Sequence, residues 1–249
     1  MNILLTNDDG VHAKGINTLF DILSEKHHVF IIAPTEEKSG SSTAISFIDN
    51  FKVIHISENK YAVPGFPADC VNMGLRGDII PKVDLVISGI NHGSNLGDDV
   101  HFSGTVGGAR VAHVYGISGI AISLNRKGES EYFVDASRFL LNYIQDTVVL
   151  NNGSYLLNIN YPDLPSNKIQ GVKYSSLGKR KYNDYYKVTG RKDEEIHLEY
   201  NHGIGSIHND ISDITELEKG YITITPLALD CTDYNFLNKI TNKNSIKLD

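Results

Sequence analysis

The chain has 249 residues, 41% of them hydrophobic, a size and composition that suit one large α/β domain or a domain with an arm. Its net charge of −7 excludes a broad electrostatic footprint for a nucleic-acid polymer, so any phosphate it handles is drawn locally, by a cation or by aligned backbone N–H groups. Two distant cysteines, Cys70 and Cys231, form neither a disulfide framework nor a zinc pattern, no apolar run reaches the ~18 residues of a membrane span, and no secretory leader opens the sequence, so a cytoplasmic protein away from membranes is expected.

Residues 2–6 are a short apolar run ending at Asn7-Asp8-Asp9-Gly10, which predicts a buried parallel strand and a turn. Residues 15–26 carry Ile16, Leu19, Phe20 and Leu23 at helical spacing, and residues 28–33 (HVFIIA) read as a second buried strand stopped by Pro34. Strand, helix and strand make a βαβ unit. A polar loop covers 34–42, and alternation between 43 and 63 predicts β-hairpin excursions. Residues 67–75 read as a helix with Pro67 in its first turn. Residues 83–88 (VDLVIS) read as a strand, 92–103 as a long loop, 105–115 as a small-residue helix, 117–124 as a strand, 132–144 as a helix and 155–159 as a strand. The expected fold is therefore α/β, with a mostly parallel sheet over 1–162. Beyond Pro162, Tyr and Lys become frequent and 172–174, 185–189 and 196–200 alternate like exposed strands. Residues 163–249 are accordingly expected to form a β-rich arm, with strand 220–226 returning to the core and a polar tail after Asn235.

Ligands of parallel α/β sheets gather at the carboxyl ends of strands. Three polar clusters fall there: Asp8 and Asp9 after the first strand, Ser39 after the second, and Asn91 after VDLVIS. Adjacent carboxylates repel unless a cation lies between them. Two carboxylates, a hydroxyl and an amide oxygen make a hard donor set suited to Mg²⁺, Mn²⁺ or Ca²⁺. Taken alone, Asp-Asp-Gly reads more readily as a turn and a helix cap; the other clusters give it weight. Ser103-Gly104-Thr105-Val106-Gly107-Gly108-Ala109 opens a helix whose free N–H groups suit a phosphate, although Thr105 could equally be an ordinary cap. It matches neither a Walker A loop nor the dinucleotide fingerprint. Asn95, in the loop after Asn91, could donate to a phosphate oxygen. His12, His92 and His101 lie near these motifs as candidate proton shuttles, and Lys14 and Arg110 as candidate phosphate partners.

In this order, Thr6–Gly10, Ser39-Gly40, Pro64-Gly65 with Pro67-Ala68-Asp69-Cys70-Val71, Ser88-Gly89-Ile90-Asn91 with Gly93 and Asn95, Ser103–Gly107 and the stretch 220–227 resemble the survival protein E (SurE) family of nucleotide phosphatases. The resemblance runs nearly end to end. It implies a Rossmann-like, three-layer core with a β-arm for oligomerisation, as a homodimer or homotetramer. It implies hydrolysis of nucleoside 5′- and 3′-monophosphates, with short polyphosphate in some members. It places one divalent ion per subunit, Mg²⁺ or Mn²⁺, on Asp8, Asp9, Ser39 and Asn91, and phosphate contacts around Asn95, Ser103, Gly104 and Thr105. Phe66, Phe102 and Val111 depart from the family's usual Thr, Tyr and Glu.

The expected chemistry is one in-line displacement at phosphorus, with Asp8 or Asp9 holding the attacking water or taking its proton. Two alternatives stay open. One is an aspartyl-phosphate enzyme with Asp8 as nucleophile, against which stands the lack of an Asp-x-Asp pattern. The other is a non-catalytic nucleotide sensor, against which stand the paired carboxylates.

Overall fold

Alternation along the first strands already fixes a sheet covered on both faces. In β1 (Asn2–Thr6), Ile3 and Leu5 join one apolar cluster and Leu4 the opposite one. In β2 (His28–Pro34), Val29, Ile31 and Ala33 face one way and Ile32 the other. Side chains of a strand point alternately to its two faces, so a strand apolar on both must sit between two helical layers. The computed structural model describes residues 1–46, 50–126, 130–146, 153–201, 203–207 and 211–241.

The main sheet has nine strands in the order β3-β4-β2-β1-β5-β6-β7-β13-β8. The parallel centre comprises β4 (Lys60–Val63), β2, β1, β5 (Leu85–His92), β6 (Ser118–Asn125) and β7 (Leu156–Pro162). Strand β3 (Ile54–Ser57) closes one edge antiparallel to β4. Helices α1 (Lys14–Leu23) and α4 (Phe133–Asp146) cover one face; α2 (Pro67–Arg76) and α3 (Gly104–Val114) pack together on the other. Between β2 and β5 the chain changes direction across β1, so the sheet has its topological switch point at the carboxyl ends of β1 and β5. Ligands of such sheets bind there.

The second half departs from the sequence expectation in four places. Strand β8 (Val172–Tyr174), expected in the arm, instead pairs parallel to β13 (Ile222–Pro226) in the main sheet. Strand β13 returns antiparallel to β7, as a hydrophobic run buried between neighbours should. The arm proper is therefore shorter than 163–249. It holds β9 (Lys179–Tyr182) paired with β12 (Ile204–Ile207), and the hairpin β10 (Tyr185–Lys192) with β11 (Glu195–Asn201). Two helices were not expected: α5 (Asp213–Glu218), too short to show a period, and α6 (Tyr234–Thr241) in the segment read as a polar tail. Helix α6 has Phe236 and Ile240 at i,i+4 spacing, but all its residues are exposed, so the polar Asn and Lys between them dominate its composition. Residues 242–249, the end of that tail, lie outside the described residues, as do 47–49 of the expected hairpin region; its described strands are confined to β3 and β4.

A buried carboxylate pins the arm to the core. Asp213, at the start of α5, accepts hydrogen bonds from the backbone N–H groups of Gly97 (2.8 Å), Gly178 (2.7 Å) and Ile214 (2.9 Å). Gly97 begins a 3₁₀ turn beside the switch point and Gly178 precedes β9, so one side chain satisfies donors from three segments.

Candidate active site at the sheet switch point

Short main-chain ties bring the loops after β1, β2 and β5 to one crevice. Asn7 turns the chain by donating to the Gly10 carbonyl (2.9 Å), and Gly10 takes φ +98, a conformation that suits glycine. The Lys38 N–H donates to the Asp8 carbonyl (2.7 Å), drawing the 35–42 loop and Ser39 over the end of β1. From β5, the His92 N–H reaches the Asp9 carboxylate (3.2 Å). Asn91 lies in strand β5 rather than in the expected loop, opposite Ser123 and just past a register irregularity after Ser88. Its side-chain N–H donates to the Gly93 carbonyl (2.8 Å), which leaves the amide oxygen for a ligand.

These residues line a cleft of about 890 Å³ that holds all four expected metal ligands, Asp8, Asp9, Ser39 and Asn91, with Asn95 and Ser103. The same cleft is lined by five carboxylates (Asp8, Asp9, Glu37, Asp99 and Glu218) and two guanidiniums (Arg126 and Arg180). A phosphate entering it meets an excess of negative charge unless a cation is present.

Each side chain has a definite setting. Asp8 is buried, and burial, only partly offset by the 2.6 Å hydrogen bond from the Thr105 hydroxyl, pushes its pKa up to about 6; the neighbouring Asp9 adds to the rise. Burial also pushes Asp9 to about 6, opposed by the His92 N–H and Arg126 and reinforced by Glu37. The Ser39 hydroxyl donates to Glu37 (2.7 Å). Asn95 is clamped: its carbonyl accepts from Asn158 (2.8 Å) and Asn160 (3.0 Å), its N–H donates to Asn160 (2.8 Å), and its side chain donates to Ser123 (2.9 Å).

Helix α3 begins one residue before the expected 105 and is capped by Ser103, not Thr105: the Ser103 hydroxyl oxygen accepts from the Val106 N–H (3.0 Å). Its first turn, however, is occupied by the Asp8 carboxylate. Thr105 is fully buried and turns its hydroxyl to Asp8, and a Cβ on Gly104 would stand 2.9 Å from an Asp8 oxygen. Gly104 and Thr105 thus sit against Asp8, while Ser103 faces the cleft. Of the candidate histidines, His92 lines the cleft and His12 and His101 do not. Lys14 is engaged by the Ser130 carbonyl (3.2 Å) and Arg110 by Thr43 (3.1 Å), both outside it. Sequence reasoning missed Glu37, Arg126, Arg180, Tyr182 and Glu218. The last three come from segments 80 or more residues beyond the first motifs, and no local pattern marks them.

The donor set fits a hard divalent cation. Burial holds Asp8 and Asp9 at raised pKa, a cost that a bound cation would relieve, and the Ser41 hydroxyl, buried without a hydrogen-bond partner, flanks Gly104 together with Asp8. Among the described residues no group of three or more His, Cys, Asp or Glu side chains converges, so a cation here would rest on two carboxylates and neutral oxygens.

The raised pKa values make a stability prediction. A carboxyl whose folded pKa exceeds its unfolded value favours the fold while protonated, and that advantage is lost as pH rises from about 4 through about 6. Two pKa units correspond to about 3 kcal/mol. In EDTA at pH 7.5 the Asp9→Asn variant should therefore melt above the wild type by several degrees, with the gap closing by pH 4. Thermal unfolding at both pH values checks this; an equal offset at both would mean Asp9 carries no such cost.

Fold and site together define a class: a doubly wound α/β protein whose switch-point cleft is lined by carboxylates, hydroxyls and amides that fit a hard cation. The chain belongs to the SurE family, as the family model described as Survival protein SurE matches residues 3–184. It is 37% identical to the 5′-nucleotidase SurE of Leptospira interrogans over 249 residues, covering 98% of each chain. It is also 37% identical to the 5′-nucleotidase SurE of Clostridium botulinum, over 96% of this chain and 98% of that one. The crystal structure of the SurE protein from Aquifex aeolicus superposes with a TM-score of 0.83 at 33% identity, covering 97% of this chain and 99% of that one. No helix among the described residues is long and apolar enough to cross a membrane.

Proposed function

We infer that this chain is a nucleotidase that hydrolyses nucleoside monophosphates to nucleoside and phosphate with the aid of one divalent ion, Mg²⁺ or Mn²⁺, per subunit. One observation carries the reading: five carboxylates and two guanidiniums line a switch-point cleft in a chain whose relatives are named 5′-nucleotidases. Asp8, Asp9, Ser39 and Asn91 would hold the ion, which when bound supplies Lewis acidity to the phosphoryl group and a water of lowered pKa. Asp9, hydrogen-bonded by the His92 N–H, is placed to orient that water or accept its proton. The Ser103 hydroxyl, whose oxygen already accepts from Val106, keeps its proton to donate to a phosphoryl oxygen, and Asn95, clamped by Asn158, Asn160 and Ser123, lines the same cleft. Gly104 and Thr105 act through Asp8, fixing its carboxylate. The arm's exposed Tyr185, Tyr186, Val188, Ile196 and Leu198 support assembly as a homodimer or homotetramer.

Phosphate release from a panel of nucleoside 5′- and 3′-monophosphates and short polyphosphate, with EDTA, Mg²⁺ or Mn²⁺, tests the proposal. Metal-dependent release from nucleotides is expected. Tight nucleotide binding without release under any metal would establish the sensor reading, and an acid-stable phosphoenzyme would establish Asp8 as a nucleophile.

A further inference from the structure

Two aromatic side chains line the same cleft as the carboxylates. Phe102 and Tyr182 line it with their ring centroids 5.9 Å apart and their planes at 89°. Phe102 is 58% and Tyr182 41% exposed, unusually open for large rings inside a concave site. Both are nonetheless held in place. The Phe102 carbonyl accepts from the Ser42 N–H (2.9 Å), fixing the backbone beneath its ring. The Tyr182 hydroxyl donates to Asp99 (2.9 Å), and the same carboxylate accepts from the Arg180 guanidinium (2.8 and 2.7 Å). Arg180 and Asp99 cancel one another's charge, so this part of the cleft offers an aromatic corner, one ring's face beside the other's edge, with little net charge.

We propose that Phe102 and Tyr182 form the nucleobase platform of the cleft, on which the base of a nucleoside monophosphate stacks while its phosphate lies toward Ser103, Asp8 and Asp9. The proposal rests on the nucleotidase reading above. Phe102 immediately precedes Ser103, and both line the cleft, so the ring and the proposed phosphate contact belong to one short segment of its rim. A base stacked on the face of one ring and abutting the edge of the other is held through its π-face, which every base has, so such a corner discriminates weakly among bases. The platform thus selects nucleotides over phosphomonoesters that lack a base. It also gives the arm a role in the site, since Tyr182 and Arg180 belong to β9 while Phe102 belongs to the core.

The test compares AMP with ribose 5-phosphate, which keeps the sugar and phosphate and lacks the base. Stacking on an aromatic residue corresponds to about fivefold to 150-fold in binding. Wild type should favour AMP by at least about tenfold in kcat/KM. In Phe102→Ala, and independently in Tyr182→Leu, that preference should shrink about tenfold, mainly through KM for AMP; Phe102→Tyr, which keeps the ring, should restore it. Phe102 is largely exposed, so its loss removes little core, and Phe102→Leu, similar in bulk without a π-face, should behave as Phe102→Ala. Equal losses for AMP and ribose 5-phosphate, or an unchanged preference in all variants, would overturn the platform. A wild type that cleaves both substrates equally would overturn the platform alone, and one that cleaves neither with any metal would overturn the nucleotidase reading together with it.

Discussion

Asp9→Asn should lower metal-dependent kcat/KM for a nucleoside monophosphate by about 10³-fold or more, equivalent to about 4 kcal/mol of transition-state stabilisation. The reason is the charge balance of the cleft. Asp9 is one of two adjacent carboxylates at the end of β1, and the other proposed ligands, Ser39 and Asn91, are neutral. Removing half of the ligating charge weakens the hold on a divalent cation while leaving Glu37 and Glu218 to repel phosphate. Asn keeps the size of the side chain and an acceptor for the His92 N–H, so the fold should survive, as circular dichroism would show. The same variant is expected to be more stable than wild type in EDTA at neutral pH. Lost activity with gained stability is the signature of a strained functional carboxylate, and a destabilised, inactive variant would instead mark Asp9 as structural. Activity within about tenfold of wild type at saturating Mn²⁺ would remove Asp9 from the ligand set.

Gly107→Ala should destabilise the protein by about 3 kcal/mol or more and lower its melting temperature by about 10 °C. A Cβ there would lie 2.0 Å from the Ser42 carbonyl oxygen and 2.8 Å from its carbon. Neither side can yield easily. The Ser42 backbone is tied to the 101–102 segment through its N–H to the Phe102 carbonyl (2.9 Å) and its hydroxyl to the His101 carbonyl (2.7 Å). Helix α3 is pinned by its Ser103 cap and by Gly108, whose own Cβ would meet Thr6 and Ser88 at 3.0 Å. Whatever gives way moves Thr105 relative to Asp8, so activity should fall with stability. Gly190→Ala, at a glycine with no neighbour within 4 Å, is the control and should change the melting temperature little. Comparable melting temperatures for the two variants would show that the α3–Ser42 approach is soft.

The covered sheet was legible because its signal is local and periodic. Ile3, Leu4 and Leu5 are all apolar, which only a strand between two layers requires, and Pro34 and Pro67 punctuate the elements that they bound. That Asp8, Asp9, Ser39 and Asn91 meet in one cleft was legible for a related reason: strand ends converge in a doubly wound sheet, so the four could be grouped before any coordinates. The arm's limits were less so. Residues 172–174 look like exposed strand because they are exposed, and only their pairing with β13 assigns them to the main sheet.

The sequence by itself determined which residues are apolar, where the chain must turn and which polar clusters end strands, because each depends on neighbours a few residues apart. Tertiary structure alone decided that Thr105 serves Asp8 rather than the open cleft, that Asp213 joins three segments, and that Arg180 and Tyr182 cross from the arm to face Phe102. Those outcomes depend on distances between groups some 35 to 116 positions apart in the chain, which are set by how whole layers pack and leave no trace in local composition.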